Sequence, residues 1–298
     1  MRGHPCGAPS QLTVAVGAAI VAGALAACHR AVPPTDTRPA RGISRAPLGD
    51  PRLPALVHDG DAVFFVGNSF FGWQDRPLPE WVAALGQAVM PPVRLEVCAD
   101  IVFGNTPLRE FLDHPATQAA LAQRKYQVFV LAGEEYEPVD HKAEFHQAVR
   151  DFNQAIVASG ARTVLFMTWE LRWRPFIDEL AASYDEIGRE LSIPVIPAGL
   201  IFHDCDAAPP GQQHPGWLTA DLEHQDGDLH QNDKGSAANT YATFAMLTGR
   251  NAHGMNFLAP GNTNDDALMR YLSDMAFAEV LPRLQGIVAV TDGGSPQP

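Results

Sequence analysis

The sequence predicts a three-layer α/β/α sandwich around a mainly parallel sheet of about five strands. Three observations carry that prediction. Short runs rich in Val, Ile, Leu and Phe show no polar alternation, as strands buried on both faces do. Longer amphipathic stretches separate those runs. The alternation of the two then repeats about five times, which is the pattern of an α/β layer structure. In chain order, residues 62–66 read as the first strand and 79–89 as a helix led by Pro79. A second strand is expected at 93–97 and a third at 127–132. Residues 141–159 carry a helical pattern that Gly160 is placed to end, and 162–168 form the fourth run. A helix at 175–191 leads to the last strand, 194–197, and two closing helices are expected at 233–248 and 265–284.

The chain has 298 residues, 46% hydrophobic and 18% charged, which suits one globular domain with a good-sized core. Its beginning is of another kind. Arg2 is the only charged residue of 1–27, and 12–27 is almost wholly Ala, Val, Gly, Leu and Ile. That run is short for a membrane span and sized for a secretory signal. It closes in Leu25-Ala26-Ala27-Cys28, which resembles the bacterial lipobox, so 1–27 is expected to be a lipoprotein signal peptide and Cys28 the lipidated residue. A plain signal peptide or an uncleaved anchor is the alternative. His29 rather than Asp follows the cysteine, which by resemblance implies the periplasmic side of the outer membrane if the cell is Gram-negative. Residues 28–60, with six prolines and five arginines after the cysteine, read as an extended tether near anionic headgroups. Residues 61–290 are the expected catalytic domain and 291–298 a disordered tail.

Residues 61–298 hold 15 Lys and Arg against 31 Asp and Glu, a balance that excludes a basic nucleic-acid surface. Removing the signal and lipidating Cys28 leaves Cys98 and Cys205. In an oxidising compartment these two invite a disulfide, with two separately buried thiols as the alternative.

In a parallel sheet, ligands bind beyond the carboxyl ends of the strands. The first run ends there in Val66-Gly67-Asn68-Ser69-Phe70, which holds a hydroxyl at the sheet edge beside backbone N–H groups able to stabilise an oxyanion. A serine nucleophile needs a base, and the base needs an acid to orient it. Asp226-Gly227-Asp228-Leu229-His230 supplies both kinds of group. An early G-[DN]-S and a late Asp-His segment before the closing helices resemble the arrangement of the SGNH (GDSL-like) hydrolases over nearly all of 61–284. With 165–169 and 184–188, the likeness is to a poorly characterised bacterial branch of lipoproteins.

The resemblance implies a flavodoxin-like fold and hydrolysis of an acyl ester, commonly O-acetyl, through an acyl-Ser69 intermediate. It gives His230 the role of base, and it makes the N–H groups of Ser69 and Gly104 the first two oxyanion donors. Two departures stand out. Where the family has an amide after strand three, this chain reads Gly133-Glu134-Glu135-Tyr136, and a carboxylate there repels an oxyanion unless it is protonated or turned away. Asn68 and Asn105 are the candidate substitutes for the amide and, with Trp169, the expected substrate contacts. The acid is expected three residues before the histidine, where Gly227 stands, so Asp228 is favoured with Asp226 as substitute.

Other chemistries leave weaker marks. Phosphate-cradling glycine signatures are absent, so no nucleotide cofactor is expected. Residues 224–230 hold His and Asp ligands suited to zinc or manganese, but HExxH spacing is missing and His141 and His146 lie five apart, so no metal is expected. Trp169, Trp173, Arg172 and Arg174 follow the fourth run, where they can meet a sugar ring or an acidic group, or simply close the core and face solvent. The expected function is a serine esterase acting on a small-molecule or glycan ester of the envelope. The sequence also leaves open a non-catalytic envelope ligand-binding protein on the same fold and, less favoured, a metal-dependent hydrolase.

Overall fold

The computed structural model describes residues 53–72, 76–171, 173–207, 217–219, 229–257 and 266–292. Its centre is a five-stranded, wholly parallel sheet in the order β2-β1-β3-β4-β5. The strands are β1 (Ala62–Gly67), β2 (Glu96–Ile101), β3 (Val128–Leu131), β4 (Arg162–Phe166) and β5 (Val195–Ile196). Ten helices are described with them. In chain order they are α1 (Ser69–Gly72), α2 (Leu78–Ala88), α3 (Leu108–Phe111), α4 (Pro115–Gln123), α5 (Glu137–Asp140), α6 (Lys142–Ser159), α7 (Ile177–Leu191), α8 (Ala198–Ala207), α9 (Asp233–Thr248) and α10 (Asp266–Asp292).

The absence of polar alternation in β1 has a direct cause: both faces of the sheet are covered. Val63 and Phe65 enter a core shared with α2, α8, α9 and α10, while Phe64 and Val66 enter one shared with α3, α4, α6 and α7. The chain runs from β1 outward to β2, then returns past β1 to β3. The direction of winding therefore reverses at β1, and the crevice beyond its carboxyl end is the place where such sheets bind ligands. Ser69 stands there.

Several boundaries differ from the sequence reading. Strand β2 lies further along the chain than 93–97, because its apolar run is broken by exposed Glu96 and by Asp100. As an edge strand it can hold Asp100 inside, where the Thr117 Oγ1 hydroxyl donates to the carboxylate at 2.7 Å and His114 Nδ1 lies 3.4 Å away. The short helices α3, α4 and α5 follow or begin with Pro107, Pro115 and Glu137-Pro138, and they escaped notice because four to nine residues carry too little periodicity. Gly160 does end α6, in the left-handed conformation at φ 89°.

The domain begins earlier than the expected 61. Leu56 and Val57 are buried, and both backbone N–H groups donate to Leu247 O, at 2.8 and 3.0 Å, so residues 53–60 belong to the domain. Two apolar residues just after Pro54 are too few to show a period, which hid them. At the other end α10 runs to Asp292, past the expected limit of 284.

The disulfide expectation is corrected. Cys98 projects from β2 into the core on one face of the sheet and Cys205 from α8 into the core on the other, so the sheet itself separates the two sulfurs. Cys28, the 12–27 run and the 293–298 tail lie outside the described residues. Among the described residues no helix is long and apolar enough to cross a membrane.

Candidate active site

The site is built at the turn from β1 into α1. Gly67 ends the strand where a Cβ would come within 3.0 Å of the Phe71 ring and 3.1 Å of Ala132 Cβ, so a larger residue would have to push those side chains back for the chain to turn this tightly beside β3. Asn68 follows, almost fully buried. Its Oδ1 accepts the Phe70 N–H at 3.1 Å and its Nδ2 donates to Gly133 O at 3.2 Å. The expectation that Asn68 contacts substrate therefore gives way to a structural role: its amide joins the Ser69 turn to the loop after β3. Ser69 then opens α1 with its hydroxyl at the sheet edge.

His230 meets that hydroxyl. Its Nε2 lies 2.7 Å from Ser69 Oγ, across 161 residues of sequence, within the range for a hydroxyl donating to a neutral imidazole. The imidazole is buried and lies 5.7 Å, ring centre to ring centre, from Phe70. Both neighbours of His230 in the chain are tied down. Leu229 O accepts from Trp169 Nε1 at 3.0 Å, and Gln231 Nε2 donates to Phe70 O at 3.0 Å. Asn232 caps α9, its Oδ1 accepting the N–H groups of Lys234 and Gly235 at 2.9 and 3.1 Å. His230 is thus fixed between a capped helix and the turn that carries Ser69. Asp226 and Asp228, the two expected acids, lie outside the described residues.

Trp169 is corrected as a substrate contact. It is buried, stacks on Phe202 at 4.4 Å and meets Phe70 edge-on at 4.6 Å. Its work is to hold the histidine segment. Trp173 is the exposed tryptophan of this edge, its Nε1 donating to Tyr136 Oη at 3.3 Å. Arg174 is engaged by Asp140, with one nitrogen at 2.7 Å, rather than left for a ligand. Arg172 lies outside the described residues. Glu170 accepts the N–H groups that open α7.

On the β2 side, Gly104 sits in an exposed turn at φ +110°, a backbone conformation other residues rarely adopt, with nothing within 4 Å of where a Cβ would stand. That openness suits backbone approach to a substrate. Asn105 beside it is exposed.

On the β3 side the loop 133–137 holds three carboxyl groups. Glu137 is buried and its oxygens accept the Leu108 N–H at 3.0 and 3.2 Å and the Glu134 N–H at 3.2 Å. It therefore clamps this loop to α3, just beyond the Gly104 turn; burial holds its acidity below that of an ordinary carboxyl, raising the pKa. Glu134 in turn accepts the Tyr136 and Glu137 N–H groups at 2.9 and 3.0 Å. The Gly133 N–H donates to the Tyr184 hydroxyl at 3.4 Å, and burial raises that phenol's pKa. Glu135 is half-buried. Desolvation first, and then the Glu134 carboxylate, push it up to about 7. No cluster of three or more His, Cys, Asp or Glu able to hold a metal is found among the described residues, and 224–228 lie outside them. A cavity of about 920 Å³ opens at the opposite, amino-terminal edge of β4 and β5, lined by Arg162, Pro194 and Arg283 among others, away from Ser69.

No family model and no curated protein matches the sequence. Solved structures do. A DUF4886 family protein from Bacteroides uniformis superposes with a TM-score of 0.55 at 12% identity, over 74% of this chain and 95% of that one. Axe2, an acetylxylan esterase from Geobacillus stearothermophilus, does so with a TM-score of 0.50 at 14% identity, over 68% and 98%. A protein from Slackia heliotrinireducens assigned to the SGNH hydrolases gives 0.50 at 17%, over 62% and 98%. The chain has the α/β fold of the SGNH hydrolases.

Proposed function

We propose that the chain is a serine esterase of SGNH type. The observation that carries this reading is the 2.7 Å contact between Ser69 Oγ and His230 Nε2 at the point where the sheet's winding reverses. Ser69 Oγ attacks the ester carbonyl carbon while His230 Nε2 takes the hydroxyl proton. The carbonyl π pair moves onto oxygen, where the N–H groups of Ser69 and Gly104 stabilise it. His230 then returns the proton to the departing alcohol, leaving acyl-Ser69, and water releases the acid by the same steps in reverse order. Asp228, or Asp226 in its place, orients the imidazole.

The substrate class we favour is an O-acetyl or other short acyl ester on an envelope or extracellular glycan. Axe2 supports it, as does the net charge of −13, which keeps nucleic acid away. The place of action we favour is the cell envelope, with the mature chain held by lipid on Cys28. A ligand-binding protein without catalysis is the second reading, and the acidic β3 loop is what favours it.

The test is hydrolysis of p-nitrophenyl acetate by the full chain. Wild type is expected to turn over, and Ser69→Ala to lose turnover while keeping its circular dichroism spectrum and melting temperature. Equal rates in the two proteins would refute the reading; loss of activity to a chelator would replace it with a metal-dependent one.

A further inference from the structure

The cavity at the amino-terminal edge of β4 and β5 belongs to no part of the Ser69 site. In a parallel sheet the two edges are a strand's length apart, about 16 Å for the five residues of β4. The cavity volume of about 920 Å³ falls within the range of roughly 300 to 1,000 Å³ that holds a small-molecule ligand. Its walls come from β4, β5, α6, α7, α10 and the segment before β1, and they are largely apolar, with Leu56, Leu191, Ile193, Val195 and Pro282 among them. Val157 of α6 lines it while standing 60% exposed, one of four large apolar side chains so exposed among the described residues. On α10, Gly286 leaves the wall bare, with nothing within 4 Å of where a Cβ would stand. Hydrocarbon placed in such a hollow takes its own surface and that of the walls out of water.

The polar groups of the lining are mostly spent on one another. Thr163 Oγ1 donates to Asn153 Oδ1 at 2.8 Å, and Arg283 Nη1 donates to Asp185 Oδ1 at 2.5 Å. Glu279 is half-buried, and desolvation, followed by the Asp204 carboxylate, raises its pKa. Arg162 and Arg189 remain, both exposed at the mouth. Arg162 has no carboxylate partner among the described residues. Arg189 donates its Nε–H to Asp185 O at 3.0 Å, and Glu186, the carboxylate it acts on, is engaged by Lys142. Apolar walls thus meet a cationic mouth, in a chain whose overall balance is acidic. We infer that this cavity binds a long-chain fatty-acid anion, its hydrocarbon along the apolar walls and its carboxylate between Arg162 and Arg189. The chain enters the described domain at Leu53, three residues before Leu56, so the lipid anchor proposed above would hold this edge toward the membrane, where such anions partition. The site does not depend on the esterase reading.

The experiment is fluorescence titration of the full chain with cis-parinaric acid, a polyene fatty acid that brightens in apolar surroundings, followed by displacement with palmitate or with 1-hexadecanol. Wild type and Ser69→Ala are expected to bind a single probe, and palmitate to displace it at about tenfold lower concentration than the alcohol, the scale of two exposed ion pairs. Arg162→Gln combined with Arg189→Gln is expected to erase that preference. Gly286→Leu puts a branched side chain into the hollow. It is expected to weaken probe binding about tenfold or more with the melting temperature held, since leucine suits a helix better than glycine. Displacement by the alcohol as readily as by palmitate, or a folded Gly286→Leu chain that binds like wild type, overturns the proposal. Binding confined to phosphatidylglycerol vesicles overturns it too, making this edge a membrane-contact surface. Ser69→Ala leaves the cavity intact, so failure of the esterase reading and failure of this one are read separately.

Discussion

The two flanks of the site are built on opposite principles. On the β1 flank, Ser69 and His230 are held by neutral hydrogen bonds between close neighbours in space: Trp169 to Leu229 O, Gln231 to Phe70 O, Asn68 to Gly133 O. On the β3 flank the scaffold is ionic in kind, with Glu134 and Glu137 folding the loop around their own carboxylates. Neutral ties fix a reacting pair without shifting its proton affinities. Buried carboxylates fix a loop more strongly, because bonds to a charged acceptor are worth about twice neutral ones, but they also impose a negative field on whatever forms beside them. The difference teaches where this protein's chemistry is most sensitive to pH.

Substitutions break that comparison in order of size. Ser69→Ala removes the reacting group itself and is expected to lower kcat by roughly 10⁴- to 10⁶-fold, as the loss of such nucleophiles does, with stability unchanged by thermal melting. Glu137→Ala on the β3 flank strands two buried N–H groups, those of Leu108 and Glu134. At about 1 to 3 kcal/mol for each unsatisfied group, urea unfolding should show a loss of roughly 2 to 6 kcal/mol. Trp169→Phe on the β1 flank keeps most of the ring packing but deletes the bond to Leu229 O, so the histidine segment loosens. The expected result is a fall in kcat of about tenfold, corresponding to one neutral hydrogen bond, with KM held.

The smallest effect concerns stability against pH. The carboxyl of Glu135 titrates at about 7 in the folded protein and at an ordinary value near 4.5 when unfolded. Between those values the folded state binds the additional proton, so this group's contribution to stability falls as pH rises through the window. Glu135→Gln removes that slope. Its melting temperature should gain on wild type as pH goes from 5 to 8, and a difference independent of pH would contradict the assignment.

The same contrast governs what a reader of the sequence can see. Strand β1 announces itself because all six residues are buried on two faces, and Ser69 follows directly from it. His230 is visible as a histidine among acids just before the Asn232 cap. These are local patterns, a few residues long. The supports are not local: Trp169 reaches Leu229 over 60 residues, Gln231 reaches Phe70 over 161, and Glu137 reaches Leu108 over 29. A tryptophan after a strand reads equally as a sugar platform or a core residue, and only packing against Phe202 and Phe70 decides for the core. Asp100 displaced the expected second strand for a related reason, since its partner Thr117 belongs to a helix too short to show a period. Position on the sheet was legible, and partnership across it was not.

The central claim is that Ser69 is a nucleophile activated by His230. Its most direct measurement is mass spectrometry of the folded full chain after treatment with a fluorophosphonate at neutral pH. The account predicts a single adduct on the peptide that carries Ser69, strongly slowed in His230→Ala and absent in Ser69→Ala. A folded wild-type chain that stays unmodified, or one labelled equally fast without His230, would contradict it.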